Sequence, residues 1–324
     1  MMLGYIIATF AGVAATTQAS VNTETRRIIK SPYLSAAFNF VVSFIEVALI
    51  AFIMQRNLHI PFSEIAKYPP WIWVGGVCGP VVIIMSILCL PPLGSARNMM
   101  LACTGQILTG LIIDQFGLFG SQVVKMTPIR TLGAALVLGG IVLASYNREK
   151  ASDGKNEMST KAGNRKNGGV WIFVILALVN GAAAAVQVAA NGTLNTIVGN
   201  AAKTTMISMT VAFITISIVM LGISIVKGPD AIFDGEETFH FVKPNMLMVI
   251  GGTCAVIVVG GNTIAANVLS TGLVNIMNLA GMMASSLAVD ATGFLGIEKK
   301  PVTITKVIGM LMIIGGAALI SLVH

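Results

Sequence analysis

The sequence predicts an all-α fold: a polytopic membrane protein with ten transmembrane helices in a five-plus-five inverted repeat. Three observations carry this expectation. Of the 324 residues, 55% are hydrophobic and only 10% are charged, a balance that belongs to membrane proteins rather than to soluble domains of this size. Ten apolar stretches can be read that are long enough, at about 20 residues, to cross roughly 30 Å of hydrocarbon. Finally, the chain contains itself twice, and an odd number of spans per copy turns the second copy upside down relative to the first. Inverted repeats of this kind are a recurrent plan of secondary transporters.

The repeat is visible residue by residue. At an offset of 176, Gly75-Gly76-Val77-Cys78 falls on Gly251-Gly252-Thr253-Cys254, Gly105 on Gly281, and Asp114-Gln115-Phe116-Gly117-Leu118-Phe119-Gly120 on Asp290-Ala291-Thr292-Gly293-Phe294-Leu295-Gly296. Arg130, Gly133 and Gly139-Gly140 then land on Lys306, Gly309 and Gly315-Gly316. Near the start of each copy the offset is 169, pairing Gly12, Gln18, Asn22 and Phe44 with Gly181, Gln187, Asn191 and Phe213. The difference, 176 − 169 = 7, is one longer loop in the second copy.

In order, the first span is expected over Leu3–Val21. No basic residue precedes Arg26 and no small-residue cleavage pattern follows, so it reads as a retained span rather than a signal peptide. The second is expected over Leu34–Met54 and the third over Trp71–Leu90, which the breakers Pro91-Pro92 separate from a fourth over Asn98–Ile113. The glycine-rich connection Asp114–Gly120 leads to the fifth, Leu132–Tyr146. Residues 147–168 alternate charges with Ser, Gly and Asn and lack large apolar residues, as a solvated linker does. The domain division is therefore a first membrane repeat over 1–146, a charged linker over 147–168 and a second repeat over 169–324. The second copy offers Val170–Ala190, Thr204–Val226, Met246–Ala265, Leu273–Val289 and Val307–Val323. Its loop Lys227–Lys243 carries Asp230, Asp234, Glu236 and Glu237 and holds the extra residues.

Charge positions set the expected orientation. With the N-terminus outside, 15 Lys and Arg fall in cytoplasmic loops, six of them in the linker, against five (Arg56, Lys67, Lys125, Arg130, Lys203) in the opposite set. Three basic residues follow the first span and only Lys203 follows the sixth, the bias an inverted duplication needs. Glycines 133, 139 and 140 in the fifth span and 309, 315 and 316 in the tenth suit a packing seam between the two copies, or between two chains of a homodimer. They also match the ordinary glycine enrichment of membrane helices.

Glu46 is the acid placed well inside a span, with Asn39 and Ser43 on the same helical face. A charge there costs roughly 2.5 to 3.5 kcal/mol on insertion scales, so Glu46 is expected to face a cavity, where it would bind a cationic group or exchange a proton, or else to be a hydrogen-bonded core residue. The equivalent positions Ser208, Ala212 and Thr215 carry no charge, so any such site is asymmetric. The pairs Gln18 with Asn22 and Gln187 with Asn191 place two amides on one face in both copies. They suit a polar substrate path or hydrogen bonding between helices. Gln106, Asn262, Asn267, Asn275 and Asn278 add to a polar interior. Asp114 and Asp290 are expected to cap their own glycine turns.

Catalytic groupings are missing. His59, His240 and His324 cluster with nothing, Cys78, Cys89, Cys103 and Cys254 lack metal or disulfide spacing and read as packing residues, and no phosphate-binding glycine loop appears. Neither an enzyme nor a cofactor or metal is expected, nor is nucleic acid a partner.

The motifs Gln18-Ala-Ser-Val-Asn22, Trp73-Val-Gly-Gly76, Gly105-Gln106 and Asp114-Gln-Phe-Gly-Leu-Phe-Gly120 followed by Arg130 and Gly133 resemble the YdcZ-like family of inner-membrane exporters, within the drug/metabolite transporter superfamily. The resemblance covers both copies. The second departs from it at Met282, where Gln106 stands, and at Ala291-Thr292, where Gln115-Phe116 stand. It implies a bacterial plasma (inner) membrane protein that works by alternating access between its copies, and it names no substrate. Small members of the superfamily exchange cationic drugs for protons through a glutamate of the first span, whereas Glu46 lies in the second, so that role does not carry over. The expected function is a secondary active exporter of a small metabolite, with Glu46, Asn39, Ser43, Gln18, Asn22, Gln187, Asn191 and Gln106 as candidate substrate-binding residues. Its partners are that small molecule and the lipid bilayer. The alternatives are a proton-coupled exporter of cationic toxic compounds and a non-transporting scaffold or accessory subunit.

Overall fold

The computed structural model describes residues 1–56, 60, 62–153, 170–233, 246–292 and 304–321. Among these, all regular structure is helical: α1 (Met2–Ile29), α2 (Pro32–Gln55), the single turn α3 (Phe62–Ile65), α4 (Val74–Phe116), α5 (Pro128–Asp153), α6 (Val170–Val198), α7 (Ala201–Lys227), α8 (Met246–Ala265), α9 (Thr271–Thr292) and α10 (Ile304–Ser321). His59, His240, His324, residues 154–168 of the predicted linker and the turn Gly293–Gly296 lie outside the described residues. The first part of that linker, 147–153, continues α5.

Five stretches are long and apolar enough to cross a membrane: Met2–Ile29, Pro32–Met54, Trp171–Val198, Ala201–Lys227 and Met246–Ala265. Pro70–Ser86, Met100–Phe116, Pro128–Leu143 and Val307–Ile320 are shorter apolar helices. Their outward stripes are apolar. Ile45, Leu49 and Ile53 on α2 and Ile214, Ile218, Leu221 and Ile225 on α7 are all exposed. Such surface is unfavourable in water and natural against lipid tails.

The same two-residue corner joins the first two helices of each copy. Lys30 ends α1 in the left-handed conformation (φ 57°), and Ser31 then caps α2, its hydroxyl oxygen accepting from the Leu34 N–H at 3.2 Å. In the second copy Gly199 (φ 70°) ends α6, and Asn200 caps α7 by accepting from the Lys203 N–H at 2.9 Å. Both pairs keep the offset of 169.

The third and fourth spans were expected to be separate helices, yet α4 is helical from Val74 through Pro91-Pro92 to Phe116. It nevertheless doubles back. Gly75 and Gly79 lie against Asn191 and Gln187, and Cys89 lies 3.6 Å from the Phe173 carbonyl, so the first half runs against α6. Gly105 lies against Leu178, Ala102 against Gly181 and Ile113 among Ala185 and Ala189, so the second half runs along α6. Asn98 Nδ2 is 3.4 Å from the Ser86 carbonyl oxygen, whereas a straight helix would separate those residues by about 18 Å. The chain reversal expected at the prolines is therefore present, made by bent helix instead of a loop.

Inter-copy contacts recur in pairs with the offsets of the repeat. A Cβ on Gly12 would overlap the Asn278 carbonyl, and its counterpart on Gly181 would overlap the Ala102 carbonyl. Gly281 meets the Thr9 carbonyl just as Gly105 meets that of Leu178. Between α5 and α10, Gly133 packs on the Gly316 carbonyl and Gly140 on that of Gly309, so the two helices run antiparallel. Close backbone approach of this kind replaces the hydrophobic drive that is missing between helices in lipid.

Candidate functional site

In the first copy the predicted polar residues close on one another. Asn39 (α2) donates to Asn22 Oδ1 (α1) at 2.9 Å and accepts from Gln18 Nε2 at 3.4 Å. The Ser43 hydroxyl lies 2.6 Å from the Asn39 carbonyl and 3.0 Å from that of Gly252 on α8. Asn39 and Ser43 are 3% and 0% exposed. This cluster binds α1, α2 and α8 to one another, and its polar groups are spent in doing so.

Glu46 shares the helical face of Asn39 and Ser43, as its spacing requires, but at the edge. It is only half-buried, and its carboxylate accepts from the Thr253 hydroxyl at 2.7 Å at an exposed position. Gln106 joins α4 to α9, its Nε2 donating to Asn275 Oδ1 at 3.0 Å.

The second copy repeats the frame and changes the filling. Asn191 donates to Ser208 Oγ at 3.2 Å, the same 17-residue separation as Asn22 and Asn39. Ser208 is shorter than Asn39 and offers Gln187 no amide. A cavity stands between α6 and α8, lined by Gln187, Val188, Asn191, Val258, Val259, Asn262 and Thr263. It admits a group of about the size of one water. Asn262 Oδ1 accepts from Asn278 Nδ2 at 2.7 Å, which brings α9 to its wall. The Oδ1 atoms of Asn191 and Asn278 are buried without a hydrogen-bond partner, and each such acceptor costs about 1–3 kcal/mol until a donor reaches it.

The structure thus brings Gln187 and Asn191 together at the cavity and leaves Gln18, Asn22, Asn39, Ser43, Glu46 and Gln106 out of its lining. Thr253 and Asn262 are nine residues apart on α8, half a turn around the helix at 100° per residue. The Glu46 carboxylate and the cavity therefore lie on opposite faces of α8. Thr263, Val258 and Val259 are wall residues that the sequence reading did not single out; two polar residues in succession within α8 were the available signal.

Asp114 does not cap its own turn. Its carboxylate accepts from the Gly272 N–H at 3.1 and 3.2 Å, at the start of α9, and pairs with Arg130 at 2.8 Å, the two side chains being 0% and 1% exposed. A second guanidinium nitrogen of Arg130 donates to the Val124 carbonyl. This latch ties the end of α4 and the start of α5 to the other copy. Among the described residues, no group of three or more His, Cys, Asp or Glu could hold a metal ion.

Comparison with known proteins agrees with this architecture. A crystal structure resembles the chain with a TM-score of 0.66 at 17% identity, covering 98% of this chain and 96% of its own, a likeness that speaks for the fold alone. No curated protein matches the sequence. The family model described as "Putative inner membrane exporter, YdcZ" matches residues 3–143 and again 172–319, one match for each copy. Two matches that together span most of a helical, outwardly apolar chain place it as a multi-pass membrane protein of the transporter class, and it belongs to the YdcZ family of drug/metabolite transporters.

Proposed function

We propose that the protein is a secondary active transporter that exports a small metabolite from the bacterial cytoplasm, by alternating access of two inverted five-span copies around the α6/α8 cavity. The observation that carries this reading is the pairing of inter-copy contacts. Equivalent glycines meet equivalent carbonyls, and the α5/α10 pair does so antiparallel. Two antiparallel, equivalent helices are related by a two-fold axis perpendicular to them, which for membrane-crossing helices lies in the membrane plane, as an inverted repeat requires. α4, doubling back, supplies two crossings, and the count reaches ten.

The test is flux. Purified protein in vesicles, offered a metabolite mixture under proton and sodium gradients, is expected to move at least one component; a scaffold or accessory subunit moves none under any gradient.

A proton-coupled exporter of cations is the second reading, favoured by Glu46 within its span and bonded to Thr253. Since Glu46 and the cavity lie on opposite faces of α8, Glu46→Gln is expected to keep flux within about threefold of the parent protein, with its pH profile unmoved. Loss of both flux and pH dependence would support the second reading.

A further inference from the structure

Resting on the alternating-access reading, we infer that the junction between the third and fourth spans of each copy is a two-state element, broken or continuous. The copies hold opposite forms of it and exchange them when the open side changes. In the second copy the helix is broken: α8 ends at Ala265 and α9 begins at Thr271. At the repeat offset of 176, the break Ala266–Ser270 falls on Leu90–Gly94, where α4 runs on as helix through Pro91-Pro92. The surroundings of the two junctions are alike while the backbone differs. Leu93 and Leu269 hold the same repeat position, and both are buried. Phe173 of α6 packs against the cluster that contains Leu93, and Gly4 of α1, its counterpart at the offset of 169, lies against Leu269. Two forms of one junction therefore coexist in a single molecule.

Each form carries a cost that the other relieves. Through α4, consecutive prolines withhold the N–H groups that the carbonyls of residues 87 and 88 would accept in a helix, and their rings crowd those carbonyls. A break removes the crowding. At the α8–α9 break it is the first N–H groups of α9 that lose helical partners, and neighbouring groups replace them. The Gly272 N–H, which a continuous helix would give to the Val268 carbonyl, goes instead to the Asp114 carboxylate. The Leu273 N–H goes to Ser270 Oγ at 3.4 Å, and the Thr271 and Ser121 hydroxyls share a hydrogen bond at 3.0 Å. Asp114 and Ser121 belong to the first copy, so the first copy holds the second in its broken form. Packed alternatives of one element make a switch instead of a graded bend. Because the copies are inverted, exchanging the two forms presents at one face what the other face presented before.

Amide hydrogen exchange of the full chain in detergent, read by mass spectrometry, separates a switch from a static bend. Asp114→Ala removes a bond that only the broken form makes, so it is expected to populate the exchanged form. Exchange should then slow about threefold in segment 266–273, where α8 and α9 join, and rise about tenfold in segment 93–97, where α4 breaks. Ser270→Ala withdraws only the Leu273 contact and is expected to move both segments in those same directions by about twofold; it serves if Asp114→Ala fails to fold. Faster exchange in both segments, or no change in either, overturns the inference. Replacing Pro91 and Pro92 together by alanine favours the continuous α4 and is expected to lower flux of the metabolite mixture in vesicles about tenfold. Unimpaired flux in that variant overturns the link to access. If the two segments respond oppositely while the parent protein moves no component of the mixture, the switch stands and the transporter reading falls.

Discussion

Gly181→Ala is expected to destabilise the protein by about 3 kcal/mol or more, lowering the thermal unfolding midpoint in detergent by about 6–12 °C. The added methyl falls on the Ala102 carbonyl oxygen, and Gln106 N is 2.6 Å from the same point. Main-chain atoms cannot swing aside as a side chain can, so α4 and α6 must separate along their length and forfeit dispersion contacts that lipid tails replace poorly. Gly12→Ala is expected to behave alike, because its methyl meets the Asn278 carbonyl across the equivalent contact. Gly222→Ala and Gly315→Ala are the controls. Nothing stands within 4 Å of a Cβ at either, and both sit in helices, where alanine gains about 0.5–1 kcal/mol over glycine. Equal losses at all four positions would contradict the paired close-contact scheme.

Asp114→Ala is expected to cost about 3–5 kcal/mol, because it leaves the Arg130 guanidinium buried and uncompensated. Arg130→Met should cost a comparable amount, since it leaves the buried Asp114 carboxylate without its compensating cation. The double replacement Asp114→Ala with Arg130→Met removes both charges together, and its loss should fall well below the sum of the two single losses. Arg130→Lys is not a conservative substitute, since a lysine cannot hold both Asp114 and the Val124 carbonyl in the fork geometry of arginine. Unfolding midpoints of the four proteins read the cycle. Additive losses would mean that Asp114 and Arg130 are not coupled, and the buried ion pair between α4 and α5 would be lost as an explanation.

The scaffold was legible because glycines that touch backbone tolerate little else. Gly12, Gly105, Gly181 and Gly281 appear in the sequence as repeat landmarks and in the structure as contact points. The corner residues Lys30-Ser31 and Gly199-Asn200 were equally local, since capping is decided within a few residues. What sequence spacing could not supply was which neighbour covers a helical face. Asn39, Ser43 and Glu46 do share one, yet α8 buries the first two and leaves Glu46 at the rim. Ser208 was legible as a departure from symmetry, whereas the cavity is lined by α6 and α8 alone and depends on which helices the fold sets side by side. Asp114 was legible as a cap and misassigned to its own turn, because its partner, Gly272, lies 158 residues away. The α4 reversal was placed by Pro91-Pro92, and only the packing on α6 shows that the helix bends without breaking.

The central claim is that the two copies cross the membrane in opposite senses, and equivalent corners test it most directly. Lys30 and Gly199 are exposed, left-handed and one repeat offset apart. Nothing lies within 4 Å of a Cβ at Gly199, and Lys30 already carries a side chain at that φ. Lys30→Cys and Gly199→Cys, made with the four native cysteines replaced, are treated with a membrane-impermeant maleimide on intact cells and on inverted vesicles. Gly199→Cys is expected to react in intact cells and Lys30→Cys only in inverted vesicles. Reaction of both from the same side would place the copies parallel and contradict the account.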